Sequence, residues 1–284
     1  MKLLNEVLGI NERNLELIHQ HNHYEHYPLA DNKLYGKKIL QAANFPTPKL
    51  LKSYEYFFEL RRIKEDLWNR ADFVIKPARG MQGGGILIFD RFKNGSWLTT
   101  SNKIYSASDL FDHAAEILYG VYALDNTTDI VLVEERIVLD DLFAKITYRG
   151  IPDIRVLVFK HRVIMAMLRI PTSHSDGRAN LHTGGIGVGI DLRSGVTTYA
   201  KFKKQIVDVH PDTGIKLSGI RIPNWSRILE LSTRVQYHVP LGYIGIDFVL
   251  DKRYGPQILE LNVRPGLEIQ NVNRQGIKSV LKLR

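Results

Sequence analysis

The chain has 284 residues, a formal net charge of +9, and 44% hydrophobic with 24% charged residues, the composition of an ordinary globular protein with room for one large or two modest domains. The absence of cysteine excludes disulfides, thiolate metal sites and a cysteine nucleophile. No apolar run reaches the ~20 residues of a membrane span, and Glu6 and Glu12 interrupt the first apolar pattern, which excludes a signal peptide.

The positive balance favours an anionic partner: nucleotide, acidic peptide, nucleic acid or a membrane surface. Its lysines and arginines are scattered, so much of the charge belongs to a solvated surface, and cytoplasmic residence is the compatible expectation.

Residues 1–26 read as helical, with Leu3, Leu4, Val7, Leu8, Ile10, Leu15, Leu17 and Ile18 at helical spacings. His19, His21, His23 and His26 cluster here, but no cysteine or well-spaced carboxylate joins them, so a surface or packing role is expected rather than a metal. Residues 31–48 read as a short helix capped by Asp31 and ended by Pro46 and Pro48. Lys33 in its first turn opposes the helix dipole. A ligand would explain it, although from this segment alone an exposed side chain is the plainer reading. Residues 57–70 form an amphipathic pattern, Phe57, Phe58, Leu60, Ile63, Leu67 and Trp68 against Arg61, Arg62, Lys64, Glu65 and Asp66.

The stretch Phe73–Phe89, FVIKPARGMQGGGILIF, has strand-like runs at both ends. Between them lie Lys76 and a loop with Gly80, Gly83, Gly84 and Gly85, too long and glycine-rich for a tight hairpin. Glycines let backbone N–H groups approach an anion, and the lysine places a positive charge beside them, so the loop reads as a phosphate-covering flap. The alternative is a mobile surface loop. It is no P-loop, because no Gly-Lys-Ser/Thr follows, and no dinucleotide fingerprint, because a strand follows. A strand over 95–100, a helix over 108–120 capped by Ser108, and a buried strand Ile130–Glu135 complete a small α+β lobe.

Two strands follow over Asp153–Ile170, interrupted by Arg155 and Arg169, with Arg155 on the same face as Asp153. Residues 171–189 form a long polar segment of little regular pattern, containing Arg178, Asn180 and His182, of a length that is usually functional. A helix is predicted over 224–238. The strands Tyr243–Leu250 and Gln257–Val263 flank a turn. With a symmetric turn, Leu250 pairs with Gln257, which sets Asp247 opposite Glu260 and Gly245 opposite Asn262, on one face. Two facing carboxylates repel, and a divalent cation reverses that sign, since Mg²⁺ takes carboxylates, phosphate oxygens and an amide carbonyl. A surface pairing with Arg264 or Lys252 is the alternative.

The ordered set VIKPARGMQGGG, VLVEERI, DIRVLV, GRANLHTGG, GIDFVL and ILELNVRPGLE resembles the ATP-grasp superfamily over roughly residues 31–275. Within it the set resembles the ribosomal-protein glutamate ligase and α-L-glutamate ligase-like branch. The resemblance implies an α+β ATP-grasp fold, two lobes clasping ATP, with a small lobe over 51–137 carrying the flap and a large lobe over 138–284 carrying the metal site. It implies ATP contacts from Lys33, Lys76 and the glycines Gly83, Gly84 and Gly85, an adenine hinge at Glu135, Arg136 and Ile137, and further contacts from Asp153, Arg178 and Asn180. Asp247, Glu260 and Asn262 would bind two Mg²⁺ ions, with Mn²⁺ as a substitute. Relatives usually carry a Rossmann-like domain first. Here about 50 residues precede Leu50, too few for a domain of ordinary size, so residues 1–50 are expected to be a short helical segment instead. Arg136 replaces a common hinge aromatic.

The implied reaction is carboxylate–amine ligation through an acyl phosphate, joining an amino acid such as glutamate to a peptide or small acceptor. Arg155 and Arg264 are suited to grip the carboxylate and the acyl phosphate in a planar fork. A nucleotide-binding module without catalysis is the alternative, against which the intact acid pair argues. A nucleic-acid binder is disfavoured because the interleaved basic and aromatic motif is missing. A homo-oligomer is compatible with the sequence.

Overall fold

The computed structural model describes residues 6–80, 83–123 and 127–283. Leu3 and Leu4 of the expected first helix, and Met81 and Gln82 of the glycine loop, lie outside the described residues. The chain divides into a small unit, Asn32–Leu34 with Pro48–Ile137, and a large unit, Met1–Asp31, Tyr35–Thr47 and Val138–Arg284.

The small unit is built on a six-stranded antiparallel sheet. Its strands are β1 (Leu50–Tyr54), β2 (Phe73–Pro77), β3 (Leu87–Lys93), β4 (Ser96–Thr99), β5 (Ile104–Tyr105) and β6 (Val131–Glu135), in the order β1-β6-β2-β3-β4-β5. Alternation decides its faces. Phe73, Ile75, Val131 and Val133 turn into a core with Leu110, Ala114 and Ile117 of a helix, Ala107–Leu118. Leu132 and Ala78 turn the other way with Leu34. Strand β1 escapes a sequence reading because LLKSY has no alternation and follows two prolines. The amphipathic stretch 57–70 is a 3₁₀ turn, Phe57–Arg62, running into a short helix, Ile63–Leu67.

The helix Ala107–Leu118 is capped by Ser106, not by Ser108. Ser106 Oγ accepts from Asp109 N at 3.2 Å, and Ser106 N donates to Asp109 Oδ2 at 2.7 Å. Asp109 stands three residues after Ser106 and closes the reciprocal box, whereas three residues after Ser108 stands Phe111, which cannot. Ser106→Ala is therefore expected to lower the melting temperature, and Ser108→Ala to leave it nearly unchanged, by thermal denaturation.

The large unit holds a seven-stranded antiparallel sheet: β7 (Asp153–Phe159), β8 (Arg162–Ile170), β9 (Ile186–Ile190), β10 (Thr197–Phe202), β11 (Gln205–Val207), β12 (Tyr243–Asp251) and β13 (Gly255–Asn262), in the order β11-β10-β9-β8-β7-β12-β13. The helix Trp225–Val235 packs on β7 and β8 with Ile228, Leu231 and Val235 buried. A second helix, Glu268–Asn273, seats on β9, where a Cβ at Gly189 would lie 2.5 Å from the Val272 carbonyl oxygen and one at Gly187 would lie 3.0 Å from Val272 Cγ1. That close approach explains the glycine-rich strand IGVGI. The polar segment before it is two 3₁₀ turns, Ser173–Ser175 and Leu181–Thr183, tied by buried Thr172, whose Oγ1 donates to the Gly184 carbonyl at 2.7 Å.

Among the described residues the expected N-terminal helix is interrupted at residues 7–9 and changes pitch. An α-helical turn, Ile10–Glu12, runs into a π-helical stretch, Arg13–His19, that buries Arg13, Leu17 and Ile18. Asn22 then clasps β12, accepting from Tyr243 N at 2.9 Å and donating to the Tyr243 carbonyl at 2.7 Å. The next long helix, Lys33–Ala42, takes its cap from Asn32, whose Oδ1 accepts from Leu34 N at 2.9 Å, in place of Asp31. Among the described residues no helix is long and apolar enough to cross a membrane.

Candidate active site

In the small unit, Lys76 on β2 and Glu134 on β6 stand diagonally across the strand pair on one face. Their ion pair is 2.7 Å long and almost wholly buried. Glu134 is a partner that the sequence reading missed. Lys33 donates from Nζ to the Gly80 carbonyl at 2.7 Å and from its backbone to the Ala78 carbonyl at 3.0 Å. Two lysines and the start of the glycine loop thus belong to one surface of this unit. Gly83 and Gly85 both have positive φ, 78° and 73°. A Cβ at Gly85 would lie 2.7 Å from the Tyr122 ring, and His113 Nε2 sits 2.9 Å from the Gly85 carbonyl. Gly85 is therefore fixed by packing, a reason different from the approach of an anion. Glu135 donates its N–H to the Lys49 carbonyl at 2.9 Å, Arg136 pairs with Asp72, and Ile137 is buried.

In the large unit the register sets the site. Asp247 stands opposite Glu260 and Gly245 opposite Asn262. The route differs from the symmetric turn of the sequence reading: Leu250 pairs with Pro256, not with Gln257, and a β-bulge at Leu259 restores the count. Bulges of this kind re-aim side chains beside functional sites. On the other side of β12, Asp247 stands opposite Arg155, and across β7 Asp153 stands opposite Arg169. Asp153, Arg155, Arg169, Asp247, Glu260 and Asn262 therefore share one face.

Their contacts form a chain of charge. Arg155 grips Asp247 with Nε and Nη2 at 2.6 and 2.5 Å, and its Nη2 lies 4.0 Å from Glu260 Oε1. Arg169 donates to both oxygens of Asp153, at 2.5 and 2.8 Å, and reaches Asp247 Oδ2 at 2.7 Å. Asn262 Nδ2 donates to the same oxygen at 3.2 Å. Burial pushes Asp247 up, but Arg155 and Arg169 outweigh it and hold the carboxyl well below the usual range. Asp153 goes the other way, to about 7, because burial and the nearby Asp247 charge exceed the pull of Arg169. Burial also acts against the charge of Arg169, yet Asp153 and Asp247 hold it above its ordinary range. Asp247 is thus a carboxylate held ionised in a buried position.

Asp153, expected at the nucleotide, has both oxygens engaged by Arg169 and orients that guanidinium. Arg169 was legible in the sequence only as an interruption of an apolar strand. Arg178 is exposed, and Asn180 accepts from His182 N at 2.9 Å to cap the turn that follows. Arg264 is half-exposed, bonded to Asp31 at 3.3 Å and lying over the Tyr27 ring at 4.9 Å.

Among the described residues, no group of three or more His, Asp and Glu could hold a metal. The His-rich segment makes ring contacts instead, His21 on Phe159 and His23 on His26. The donor set Asp247, Glu260 and Asn262 suits Mg²⁺ on chemistry: oxygen ligands, two carboxylates and an amide, with the remainder left to phosphate and water.

Two antiparallel-sheet units, one with two lysines and a glycine loop and the other with an acid pair backed by arginines, define an ATP-grasp protein. The sequence profile of the sugar-transfer-associated ATP-grasp family matches residues 12–283, and the chain belongs to that family. No curated protein sequence matches it. Similar solved structures include D-alanyl-alanine synthetase A from Vibrio cholerae, with 12% identity, TM-score 0.52, and coverage of 91% of this chain and 64% of that one. They also include the ATP-grasp ligase PsnB with its minimal precursor, at 17% identity, TM-score 0.46, 92% and 60% coverage. D-alanine–D-alanine ligase from Bacillus anthracis shows 14% identity, TM-score 0.46, 90% and 66% coverage. The chain spans 60% of the length of the PsnB chain. These likenesses concern the fold.

Proposed function

We propose that the protein is an ATP-dependent carboxylate–amine ligase working through an acyl phosphate. A carboxylate oxygen of the substrate attacks the γ-phosphorus of ATP, the bond to the β–γ bridging oxygen breaks, and ADP leaves. An amine then attacks the acyl carbon, the bond to the phosphate oxygen breaks, and phosphate departs as the nitrogen loses a proton. Lys33, Lys76 and the backbone of Gly83 and Gly84 are assigned to the ATP phosphates, and Arg178 and Asn180 are assigned to ATP as well. Glu135, Arg136 and Ile137 are assigned to the adenine. Asp247, Glu260 and Asn262 would hold two Mg²⁺ ions, which supply charge neutralisation for phosphoryl transfer. Arg155 and Arg264 are assigned to the carboxylate and acyl phosphate, where a guanidinium fork would stabilise developing oxyanion charge.

The observation that carries this reading is the facing pair Asp247 and Glu260 with Asn262 in register. Such a pair is unfavourable unless cations serve it, and here guanidiniums stand in that place. The acceptor is an amino acid or peptide, with glutamate one member of the class, and the family's association with sugar transfer adds amine- or carboxylate-bearing saccharides. An ATP-consuming chain without cysteine is assigned to the cytoplasm. The test is ADP release with Mg²⁺-ATP across a matrix of carboxylic acids and amines. The expected result is turnover that needs both partners. Turnover indifferent to both, or none with tight ATP binding, supports the non-catalytic nucleotide-binding module instead.

A further inference from the structure

Arg13 is buried, at 7% exposure, yet among the described residues no carboxylate pairs with it. Its Nε and Nη2 donate to Asn14 Oδ1 at 3.1 and 2.8 Å, and its Nη1 donates to the Pro265 carbonyl at 2.9 Å. These acceptors are neutral, and part of the donor fork stays uncommitted. A buried charge without a counterion is costly. Burial and the neighbouring Arg264 both act against its charge. It also opens the π-helical stretch Arg13–His19, a geometry that recurs at functional sites.

A second group nearby has the same character. Tyr243 is fully buried, and among the described residues its hydroxyl has no hydrogen-bond partner. It lies two residues before Gly245 and four before Asp247, so it shares their face of β12. Gly245 carries no side chain because a Cβ there would lie 2.7 Å from Pro265 Cβ. The segment after Asn262 thus lies directly over this end of β12, and Arg13 holds its Pro265 carbonyl. The charges of Arg13 and Arg155 both act on the Tyr243 phenol. Arg264 of the same segment pairs with Asp31 at 3.3 Å and lies over the Tyr27 ring at 4.9 Å.

We propose that Arg13 and Tyr243 form a subsite for a second carboxylate of the substrate, one that is bound and not phosphorylated. The proposal rests on the ligase reading, and it narrows the substrate class to an acid or amine that carries an additional carboxylate. The N-terminal segment is thereby a substrate-binding element of the large unit. A carboxylate there supplies the missing counterion of Arg13 and an acceptor for the Tyr243 hydroxyl.

The test uses the full chain with succinate as the dicarboxylate probe and succinamide as its uncharged counterpart, followed by calorimetry. Wild type is expected to bind succinate and not succinamide. Arg13→Met should weaken succinate at least about tenfold, the loss of a charge-assisted bond, with Arg13→Lys recovering part of it. Tyr243→Phe should weaken it a few-fold while melting at the wild-type temperature, because the hydroxyl it removes has no partner among the described residues. Should Arg13→Met fail to fold, Tyr243→Phe decides. Equal succinate affinity in wild type and in the folded variants, or no succinate binding by wild type, overturns the subsite. ADP release is scored separately: two-substrate turnover with succinate binding indifferent to Arg13 and Tyr243 removes the subsite and keeps the ligase. Binding that depends on both residues without ATP turnover keeps the subsite and removes the ligase.

Discussion

Glu260→Gln is expected to reduce ATP turnover by about 10³-fold or more, the scale of losing one essential electrostatic group at phosphoryl transfer, in a protein that melts like the wild type. The stability half of that statement follows from position. The Glu260 side chain is 26% exposed and lies 4.0 Å from Arg155, whose guanidinium keeps Asp247 as its close counterion, so the amide analogue leaves that guanidinium paired. Asp247→Asn is expected to lose turnover to the same extent and to lose stability as well. Asp247 is 1% exposed and receives both Arg155 and Arg169. Removing its charge takes the close counterion from the largely buried Arg155, while Arg169 keeps Asp153, a change of about 3–5 kcal/mol when one side of a buried pair is removed. Comparing the two variants by denaturant unfolding and by ADP release separates metal chemistry from folding. A fully active Glu260→Gln enzyme would remove the metal assignment.

Lys76→Ala is expected to cost several kcal/mol in the transition state for phosphoryl transfer, and also to destabilise the small unit by about 3–5 kcal/mol. Both effects come from the same pair. Lys76 and Glu134 are 5% and 2% exposed with an ion pair of 2.7 Å, and the alanine removes that cation from beside the buried Glu134 carboxylate. The double substitution Lys76→Met with Glu134→Leu separates them, because replacing a buried ion pair by apolar groups of similar volume is often neutral. That variant should recover its melting temperature while turnover stays lost. Recovered turnover along with recovered stability would assign Lys76 to folding alone.

The acid pair was legible because strand period 2 survives any error that leaves the final pairing intact. The turn was offset by one residue, and the bulge at Leu259 cancelled the offset. The sequence carried no sign of that bulge, because nothing in QILELNV distinguishes a bulged leucine from a paired one. The fold class was legible from the order of motifs, whereas β1 was not, since LLKSY acquires its strand geometry only by pairing with β6. Arg169 was invisible as a site residue for a similar reason. Its partners Asp153 and Asp247 lie on other strands, and a second register shift, between Leu157 and Val158, decides which residue faces it. Arg13 was hidden deeper still, within a helix whose pitch widens at that residue. The helix cap moved from Ser108 to Ser106 because the aspartate three residues on decides the cap, not the serine alone.

The most direct measurement of the central claim is oxygen transfer. A substrate acid identified by the ADP-release screen is labelled with ¹⁸O in its carboxylate and turned over with Mg²⁺-ATP and the amine, and the phosphate is analysed by mass spectrometry. Ligation through an acyl phosphate carries one carboxylate oxygen into the phosphate, so labelled phosphate in step with amide is expected. Amide formed with unlabelled phosphate contradicts the account.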